Sequence, residues 1–393
     1  MLSANHLLVL QHIHRQPEIT RTDLGDLTQL SAATIARLVG DLRERNYVTE
    51  DRLSEPYAGR GRPSVALSIN PEAGYVVGVE FGHDHITLCI ADATGDVVHN
   101  ATGRGLPFEP TDSVMDALSN TVTQMVESAH IPWLKVRAVG VALHGVASAQ
   151  GDWFPWTHDP YPAQRYLTQR FNRLVYVEDI SRAFAEAEHR FGAGVGSPDM
   201  IYIFIGSRGI GAGIFVNNML LKSSLGVCGE IGHLMVAKDG VLCQCGNRGC
   251  LETVATHDAV VERLRVQLEQ GVMSTLKNDA DLSFARMCEA ARAGDKAAHI
   301  ALDELAHYLA EALSGTVNIV GSTLVLVGGQ LRMAGDSFLA DLRSALHQQV
   351  LPALAQRLEI KYAALPLHAG AWGVAAQVLD AAWANGSFIQ GDD

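Results

Sequence analysis

The sequence predicts an α/β protein in which a small winged helix-turn-helix domain precedes a body of two α/β lobes. Three observations lead to this prediction. Three short helical patterns with capping residues occupy the first 45 residues, and two short strand patterns follow them. Beyond residue 70, apolar strand patterns alternate with amphipathic helix patterns. This alternation starts a second time near residue 200, which is typical of two lobes with a sheet each.

The chain length of 393 residues exceeds what one hydrophobic core usually serves. We predict a head at residues 1–70, a first lobe at 71–195 and a second lobe with a dimerisation surface at 196–393. The composition, 48% hydrophobic and 19% charged, is ordinary for a soluble globular protein. The sequence shows neither an apolar run of membrane-spanning length nor a leader pattern, so we expect a cytoplasmic protein without membrane insertion.

The net charge of −13 belongs to the body. Residues 1–70 hold eight Arg, no Lys and eight acidic residues, so the head is neutral. An acidic body does not prevent a head from presenting arginines to a polyanion. A neutral head must, however, rely on a few well-placed arginines and on pairing with a second copy. We therefore expect a homodimer or a dimer of dimers.

The head has the pattern of a helix-turn-helix. Thr20 and Asp23 form a capping-box pattern that begins a second helix, and Ser31 caps a third helix after a short turn. Two short helices joined by a tight turn are typical of DNA-binding domains. A small helical protein-interaction domain is the alternative. The first helix is indicated by apolar spacing at Leu7, Leu10 and Ile13 or His14.

The third helix is predicted to enter the major groove of operator DNA. Its early exposed positions carry mostly small side chains, which allow a close approach: Ser31, Ala32, Ala33, Thr34, Ala36 and Arg37. Arg37 is the candidate for a phosphate or guanine contact. Between the two strand patterns lies Gly-Arg-Gly-Arg-Pro at 59–63, whose Arg60 and Arg62 suit a narrow minor groove. A flexible loop with chance arginines is the alternative for that segment.

A glycine-rich segment at 206–213 follows the buried strand pattern at 201–205. Glycines there let backbone N–H groups face a phosphate or another ligand. A tight hairpin is the alternative explanation. A second glycine pair, Gly328-Gly329, follows the apolar strand at 324–327 in the same way.

A metal site is the strongest chemical signal in the sequence. Cys243, Cys245 and Cys250 lie within eight residues, and His233 precedes them closely. Three thiolates and one imidazole form a complete tetrahedral zinc set without an open position for water, so we predict one structural Zn²⁺ per chain in the second lobe. A cluster of free thiols is the alternative. The isolated cysteines are predicted to be buried packing residues: Cys89, Cys228 and Cys288.

Polar groups beside this metal set are candidates for holding a polyol. Glu230 precedes His233 by three residues, Glu252 follows Cys250 by two, and Asp179 ends a strand pattern. Carboxylates accept paired hydrogen bonds from neighbouring hydroxyl groups. The sequence therefore predicts a small polyol pocket next to the metal.

These motifs resemble the ROK family of repressors and sugar kinases over nearly the whole chain. The most specific part is Glu-Ile-Gly-His at 230–233, followed by the cysteine segment and Glu252. The resemblance implies an actin-like, hexokinase-type body of two lobes, and a head and wing like those of ROK repressors. It places the sugar contacts at Glu178, Asp179, Glu230, His233 and Glu252. Asp179 matches the base of the family's kinases.

Departures from the family's kinases favour a non-catalytic protein. The stretch that matches their phosphate loop has His83 in place of a glycine and Asp84 in place of a small hydroxyl residue. A carboxylate there repels a triphosphate. Glu178 replaces the kinase asparagine, and Arg208 interrupts the second glycine loop.

The sequence therefore predicts a sugar-responsive transcriptional regulator, a repressor of carbohydrate uptake or catabolism genes. A sugar or sugar derivative bound in the cleft between the lobes would release it from operator DNA. An ATP-dependent sugar kinase with a DNA-binding head is the alternative. A transport-system protein is a further candidate partner of the body, which the sequence does not distinguish from a sugar.

Overall fold

The computed structural model describes residues 2–52, 65–82, 84–154, 159–277 and 279–389. Its contacts divide the chain into two compact units. Unit 1 comprises Met1–Leu143, Tyr161–Val177 and Val374–Asp393, and unit 2 comprises His144–Pro160 and Glu178–Gly373. Unit 1 contains the head and one five-stranded sheet, and unit 2 contains a second five-stranded sheet. The predicted α/β class is confirmed.

The head is a winged helix-turn-helix, as predicted. Its elements are α1 (Ala4–Arg15), β1 (Ile19–Thr20), α2 (Arg21–Thr28), α3 (Ala32–Glu44), β2 (Val48–Arg52) and β3 (Val65–Ile69). The capping box of α2 is present, because Thr20 Oγ1 accepts the Asp23 N–H and the Asp23 carboxylate accepts the Thr20 N–H. β3 pairs with both other strands of the head sheet. The arginines of the predicted wing, Arg60 and Arg62, lie outside the described residues.

The chain between the head and residue 179 supplies all five strands of the first body sheet. Its elements are β4 (Tyr75–Phe81), β5 (His85–Asp92), β6 (Val97–Arg104), α4 (Asp112–Ser128), β7 (Val136–Leu143), β8 (Val146–Ala147), β9 (Trp153–Phe154), α5 (Ala163–Phe171) and β10 (Leu174–Asp179). The strand order is β10-β7-β4-β5-β6, with β4 parallel to β7 and antiparallel to β5. Both faces of β4, β5 and β7 are largely buried, which explains their nearly continuous apolar sequences.

The remaining elements build unit 2 and end in unit 1. They are α6 (Ile180–Phe191), β11 (Met200–Ile205), β12 (Ile210–Val216), β13 (Met219–Leu220), α7 (Glu252–Ala255), α8 (His257–Glu269), α9 (Phe284–Arg292), α10 (Lys296–Val320), β14 (Leu324–Val327), α11 (Gly335–His347), α12 (Pro352–Ala355), β15 (Glu359–Tyr362) and α13 (Gly370–Asn385). The sheet order is β13-β12-β11-β14-β15, with β14 parallel to both its neighbours. The helices α8 to α11 cover the core beside this sheet.

The units differ from the predicted lobes at 71–195 and 196–393. Helix α6 belongs with unit 2 because it packs against β11 and β12. That packing requires glycine, since a Cβ at Gly211 would lie 2.3 Å from Ser181 Oγ and a Cβ at Gly213 would lie 2.2 Å from Ala185 Cβ. The residues from Val374 onward group with unit 1. There, the backbone of Val374 approaches β7 so closely that only glycine fits at Gly140.

Within unit 1, the end of α13 contacts both the head and the sheet. Trp383 Nε1 donates to the Ala93 carbonyl oxygen at 3.2 Å. From the head, Gln11 Nε2 donates to the Ala384 oxygen at 2.7 Å, and His14 Nε2 lies 3.0 Å from Asp380 Oδ1. These contacts explain why the head groups with unit 1 rather than standing alone at 1–70. In the part of the chain that the structure describes, no helix is long and apolar enough to span a bilayer.

Candidate functional site

The cysteine–histidine cluster is built by one tightly folded loop of unit 2. His233 ends a 3-10 turn at Ile231–His233, and Cys243 and Cys245 lie in a reverse turn in which the Cys243 N–H donates to the Asn247 oxygen at 2.7 Å. Cys250 follows Gly249, which has a φ of +70° that favours glycine. A side chain at this position would place its Cβ only 1.7 Å from the Ala237 oxygen. The loop therefore places the side chains of His233, Cys243, Cys245 and Cys250 close together.

The four ligand atoms have the spacing of a tetrahedral metal site. They all lie within 4.8 Å of one another. Cys243 Sγ is 3.6 Å from His233 Nδ1, and Cys245 Sγ is 3.7 Å from Cys250 Sγ. Zn–S bonds of ~2.3 Å and Zn–N bonds of ~2.1 Å at tetrahedral angles give edges of ~3.8 Å for S···S and ~3.6 Å for S···N. The donor set therefore fits zinc in both chemistry and distance.

A cluster of carboxylates forms around the start of α6, where strand β10 ends. Asp179 is the N-cap of α6, because its Oδ1 accepts the N–H groups of Ser181 at 2.9 Å and Arg182 at 3.2 Å. Burial raises the pKa of Asp179, although the neighbouring Arg182 opposes the shift. This cap fixes one carboxylate oxygen of the predicted kinase-like base against the helix.

Glu178 is almost entirely engaged by partners within unit 2. Arg182 Nε donates to Glu178 Oε1 at 2.7 Å, Lys222 Nζ lies 2.9 Å from Glu178 Oε2, and the Asp179 N–H also donates to Oε1. Burial alone would raise the pKa of Glu178, but Arg182 and Lys222 outweigh it and lower that pKa. Glu178 therefore pairs with two cations in this structure, and its predicted contact with a sugar stays a prediction.

Arg182 is a buried charged residue at the centre of this cluster that the sequence did not single out. Only 2% of it is exposed, and its other N–H groups donate to the backbone oxygens of Cys228 at 3.1 Å and Ala147 at 3.4 Å. Burial alone would lower the pKa of Arg182, but Glu178 and Asp179 outweigh it and raise that pKa. This pair leaves no clear signal in the sequence, because Glu178 ends strand β10 and Arg182 lies in the first turn of α6. Lys222 gave no signal either.

Glu230 and Glu252 extend the carboxylate cluster towards the metal loop. Glu252 begins α7, and its Oε1 accepts the Ile210 N–H at 2.9 Å. Its Oε2 lies 3.9 Å from His233 Nδ1. Burial, followed by the charge of Asp179, raises the pKa of Glu230 to about 8, and Glu252 adds to the shift. Glu252 thus lies next to His233 of the predicted metal set and near Glu230, which in turn is near Asp179.

We expect the raised pKa of Glu230 to make stability depend on pH. A carboxyl with a folded pKa of about 8 and an unfolded pKa of about 4.5 binds more protons when folded, so its contribution to stability falls as pH rises between these values. Glu230→Gln should flatten the pH dependence of the melting temperature from pH 5 to 8. Glu262→Gln, which removes an exposed carboxylate on α8, serves as the control and should leave the slope unchanged. An unaltered slope in Glu230→Gln would contradict the assigned shift.

Three other sequence predictions have structural outcomes. Cys89 and Cys288 are buried as expected, whereas Cys228 is only half-buried and lies beside Arg182, so it is not a core packing residue. The glycine-rich segment 206–213 forms the β11–β12 hairpin, in which the Gly206 N–H donates to the Gly209 oxygen. Asp84 is exposed, and His83 lies outside the described residues.

The predicted recognition surface of the head is exposed. Ser31 caps α3, and its Oγ accepts the Thr34 N–H at 3.2 Å. Ala32 and Ala33 are exposed, and Arg37 is 62% exposed and 3.4 Å from Asp41 Oδ2. Because the pair with Asp41 is solvent-exposed, it holds Arg37 only weakly. The side chain is therefore available to a phosphate or a base edge.

Together, a winged helix-turn-helix with a capped, exposed third helix and a carboxylate cluster beside the cysteine–histidine loop define a winged-helix protein with a sugar-kinase-like body. The comparisons agree with this class. The ROK family model matches residues 76–381 and the MarR family model matches residues 2–61. The chain belongs to the ROK family, and its winged head places it among that family's transcriptional regulators.

The similar proteins include regulators and kinases. The xylose repressor of Caldicellulosiruptor bescii is 28% identical over 384 residues, covering 95% of each chain. A crystal structure of a ROK family transcriptional regulator, a homolog of the E. coli MLC protein, is 26% identical with a TM-score of 0.83 and covers 98% of each chain. A ROK family glucokinase from Streptomyces griseus, in complex with glucose and AMPPNP, is 27% identical with a TM-score of 0.66, covering 77% of this chain and 99% of its own.

Proposed function

We propose that the protein is a transcriptional repressor of carbohydrate uptake or catabolism genes that a sugar or sugar derivative releases from its operator. The exposed small-residue face at the start of α3, on a head joined to a ROK body, is the observation that carries this proposal. Ser31, Ala32, Ala33 and Thr34 allow close approach to the major groove, and Arg37 supplies a contact. As a regulator of chromosomal genes, it would act in the cytoplasm.

The sugar would be held by the carboxylate cluster. Asp179 has one oxygen beyond those that cap α6, and Glu230 lies beside it, so both can accept hydroxyl hydrogen bonds. His233 and Glu252 would complete the set from the metal loop. Glu178 would act indirectly, by holding Arg182 and Lys222 in place.

The cluster of His233, Cys243, Cys245 and Cys250 would hold a structural zinc ion. Its four donors fill a tetrahedral shell, so zinc would supply a cross-link rather than a reactive water. By fixing His233 and the loop that ends at Glu252, this cross-link would hold both side chains in position to contact the sugar.

A dimer or a dimer of dimers would present two heads to paired half-sites, which compensates for a head without net positive charge. A sugar that binds more tightly when the two heads of the dimer cannot reach paired half-sites would lower the population of dimers that bind DNA. If the body instead senses a protein of a transport system, sugars alone would leave DNA binding unchanged, and a pull-down from sugar-fed cells would identify that partner.

Kinase activity is the second candidate, favoured by the similarity to a glucokinase and by Asp179. The exposed Asp84 at the matching phosphate loop opposes it, since it adds negative charge where a triphosphate would bind. We therefore propose a non-catalytic body. A coupled ADP-release assay over hexoses, pentoses and amino sugars should show no turnover above background. Measurable turnover would support the kinase activity and contradict the non-catalytic body.

We expect Arg37→Met to weaken operator binding about tenfold or more, because one good base or phosphate contact contributes roughly 1–3 kcal/mol. Gel-shift titration with DNA from the protein's own gene neighbourhood measures the effect, and the same titration with a sugar panel identifies the releasing ligand. Arg265→Met, on the exposed surface of α8, is the matched control. If the unaltered chain shifts none of this DNA, with or without sugars, the repressor proposal fails.

A further inference from the structure

A glycine lies in the interior of α3, the third helix of the head. Gly40 stands eight residues after the start of this helix at Ala32 and four before its end at Glu44. Glycine inside a helix lowers stability relative to alanine, because it loses more conformational freedom on folding. Gly40 has an ordinary right-handed helical backbone, so no left-handed φ requires glycine here.

The packing of the head does not require this glycine either. Apart from α3 itself, no described atom lies within 4 Å of the position that a Cβ of Gly40 would occupy. Gly213 shows the opposite case, since a Cβ there would lie 2.2 Å from Ala185 Cβ. Alanine would therefore fit at residue 40 of the free protein and would favour the helix. A partner that comes close to the helix backbone is the physical reason for glycine that remains.

Gly40 lies on the exposed face of α3 that carries Ala33, Ala36 and Arg37. It follows them by seven, four and three positions, which are the spacings that place residues on one face of a helix. All three are exposed. Glu44, four positions beyond Gly40, is exposed as well. The surface around Gly40 therefore carries charges of both signs, so it fits a DNA groove by its shape rather than by its charge.

We propose that Gly40 is the point at which α3 comes closest to the sugar–phosphate wall of the major groove. This inference rests on the function proposed above and specifies how the helix meets its operator. Without a Cβ at residue 40, the helix backbone can touch the deoxyribose rings directly. This contact sets how deeply α3 enters the groove, and with it the reach of Arg37 to a phosphate or a base edge.

The test is gel-shift titration of the full chain, at several salt concentrations, with the DNA fragment of its own gene neighbourhood that it binds. Gly40→Ala should weaken binding about tenfold, because a methyl group is forced into a closely packed contact. The larger side chain of Gly40→Met should weaken binding further. The slope of log affinity against log salt should match that of the unaltered chain, because neither variant removes a cation.

Thermal melting separates a lost contact from a damaged fold. Gly40→Ala should melt no lower than the unaltered chain, because alanine favours the helix. Gly315→Ala is the matched control, since Gly315 is exposed within α10 and no described atom outside that helix lies within 4 Å of its Cβ position. It should leave DNA binding unchanged.

Three outcomes would overturn the inference while the repressor proposal stands. The first is a Gly40→Ala variant that binds the DNA as tightly as the unaltered chain does. The second is a smaller salt slope in Gly40→Ala, which would indicate a lost charge contact. The third is a changed oligomeric state of Gly40→Ala in light scattering, which would assign this face of α3 to a protein partner. An unaltered chain that shifts no DNA would instead contradict the proposed function itself.

Discussion

Replacing Arg182 with Met should destabilise unit 2 by about 3–5 kcal/mol at neutral pH, because the buried Glu178 carboxylate loses its buried cationic partner and keeps only the more exposed Lys222. Glu178 and Arg182 are both only 2% exposed, and Asp179 is 7% exposed. Methionine fills similar space but supplies no charge and no donors for the Cys228 and Ala147 oxygens. The change in the free energy of unfolding is measured by urea titration followed by circular dichroism.

The sign of the pH dependence gives a second readout. Without Arg182, burial is opposed less, by Lys222 at Glu178, so the folded pKa of Glu178 and that of Asp179 both move upward. A raised folded pKa means that the folded state binds more protons, so the variant loses stability as pH rises from about 5 to 8. The deficit relative to the unaltered chain should therefore be larger at pH 8 than at pH 5. A deficit that does not vary with pH would point to lost packing rather than an unpaired charge.

Two variants serve as controls for Arg182→Met. Arg265→Met removes the cation of a pair on α8 in which both Arg265 and its partner Glu262 are exposed. We expect a loss of only about 1 kcal/mol or less there. The double variant Glu178→Gln/Arg182→Met removes both charges and should recover a large part of the stability. If the double variant is as unstable as Arg182→Met alone, the ion pair is not the cause.

Replacing Cys250 with Ser should abolish stoichiometric zinc binding and destabilise the loop that carries His233 and Glu252. Cys250 is fully buried, and its backbone pairs with Met235 as an isolated bridge, so the ligand and the loop geometry are coupled. Zinc binding contributes on the order of 10 kcal/mol in small zinc-dependent peptides, and a part of that should appear here as a loss of several kcal/mol. Metal analysis and thermal melting measure both effects.

The zinc prediction has a matched control in the same unit. Cys228→Ser makes the same chemical change at a half-buried cysteine outside the four-residue cluster. It should keep about one zinc per chain and a melting temperature close to that of the unaltered protein. The structural zinc site would be refuted if the freshly purified protein contained no zinc. It would also be refuted if the Cys250→Ser variant still bound one zinc ion per chain. Sugar-induced stabilisation should also fall in Cys250→Ser, because Glu252 loses its fixed neighbour.

The sequence by itself determined the features that depend on neighbouring residues. The caps at Thr20 and Ser31 act over three positions, so the helices of the head were predictable. The four members of the metal cluster lie between residues 233 and 250, where one loop suffices to join them. The strand pattern at 201–205, which corresponds to β11, follows from apolar residues alone.

The tertiary structure alone decided which distant charges meet. Lys222 reaches Glu178 across 44 positions, and Arg182 bonds to backbone oxygens at residues 147 and 228. Such pairs produce no periodic pattern in the amino-acid sequence, because each depends on how whole helices and strands pack. The same reason explains why α6 belongs to unit 2. Local chemistry thus set the caps of the head and the cysteine–histidine cluster, whereas packing decided which buried carboxylates meet a cation.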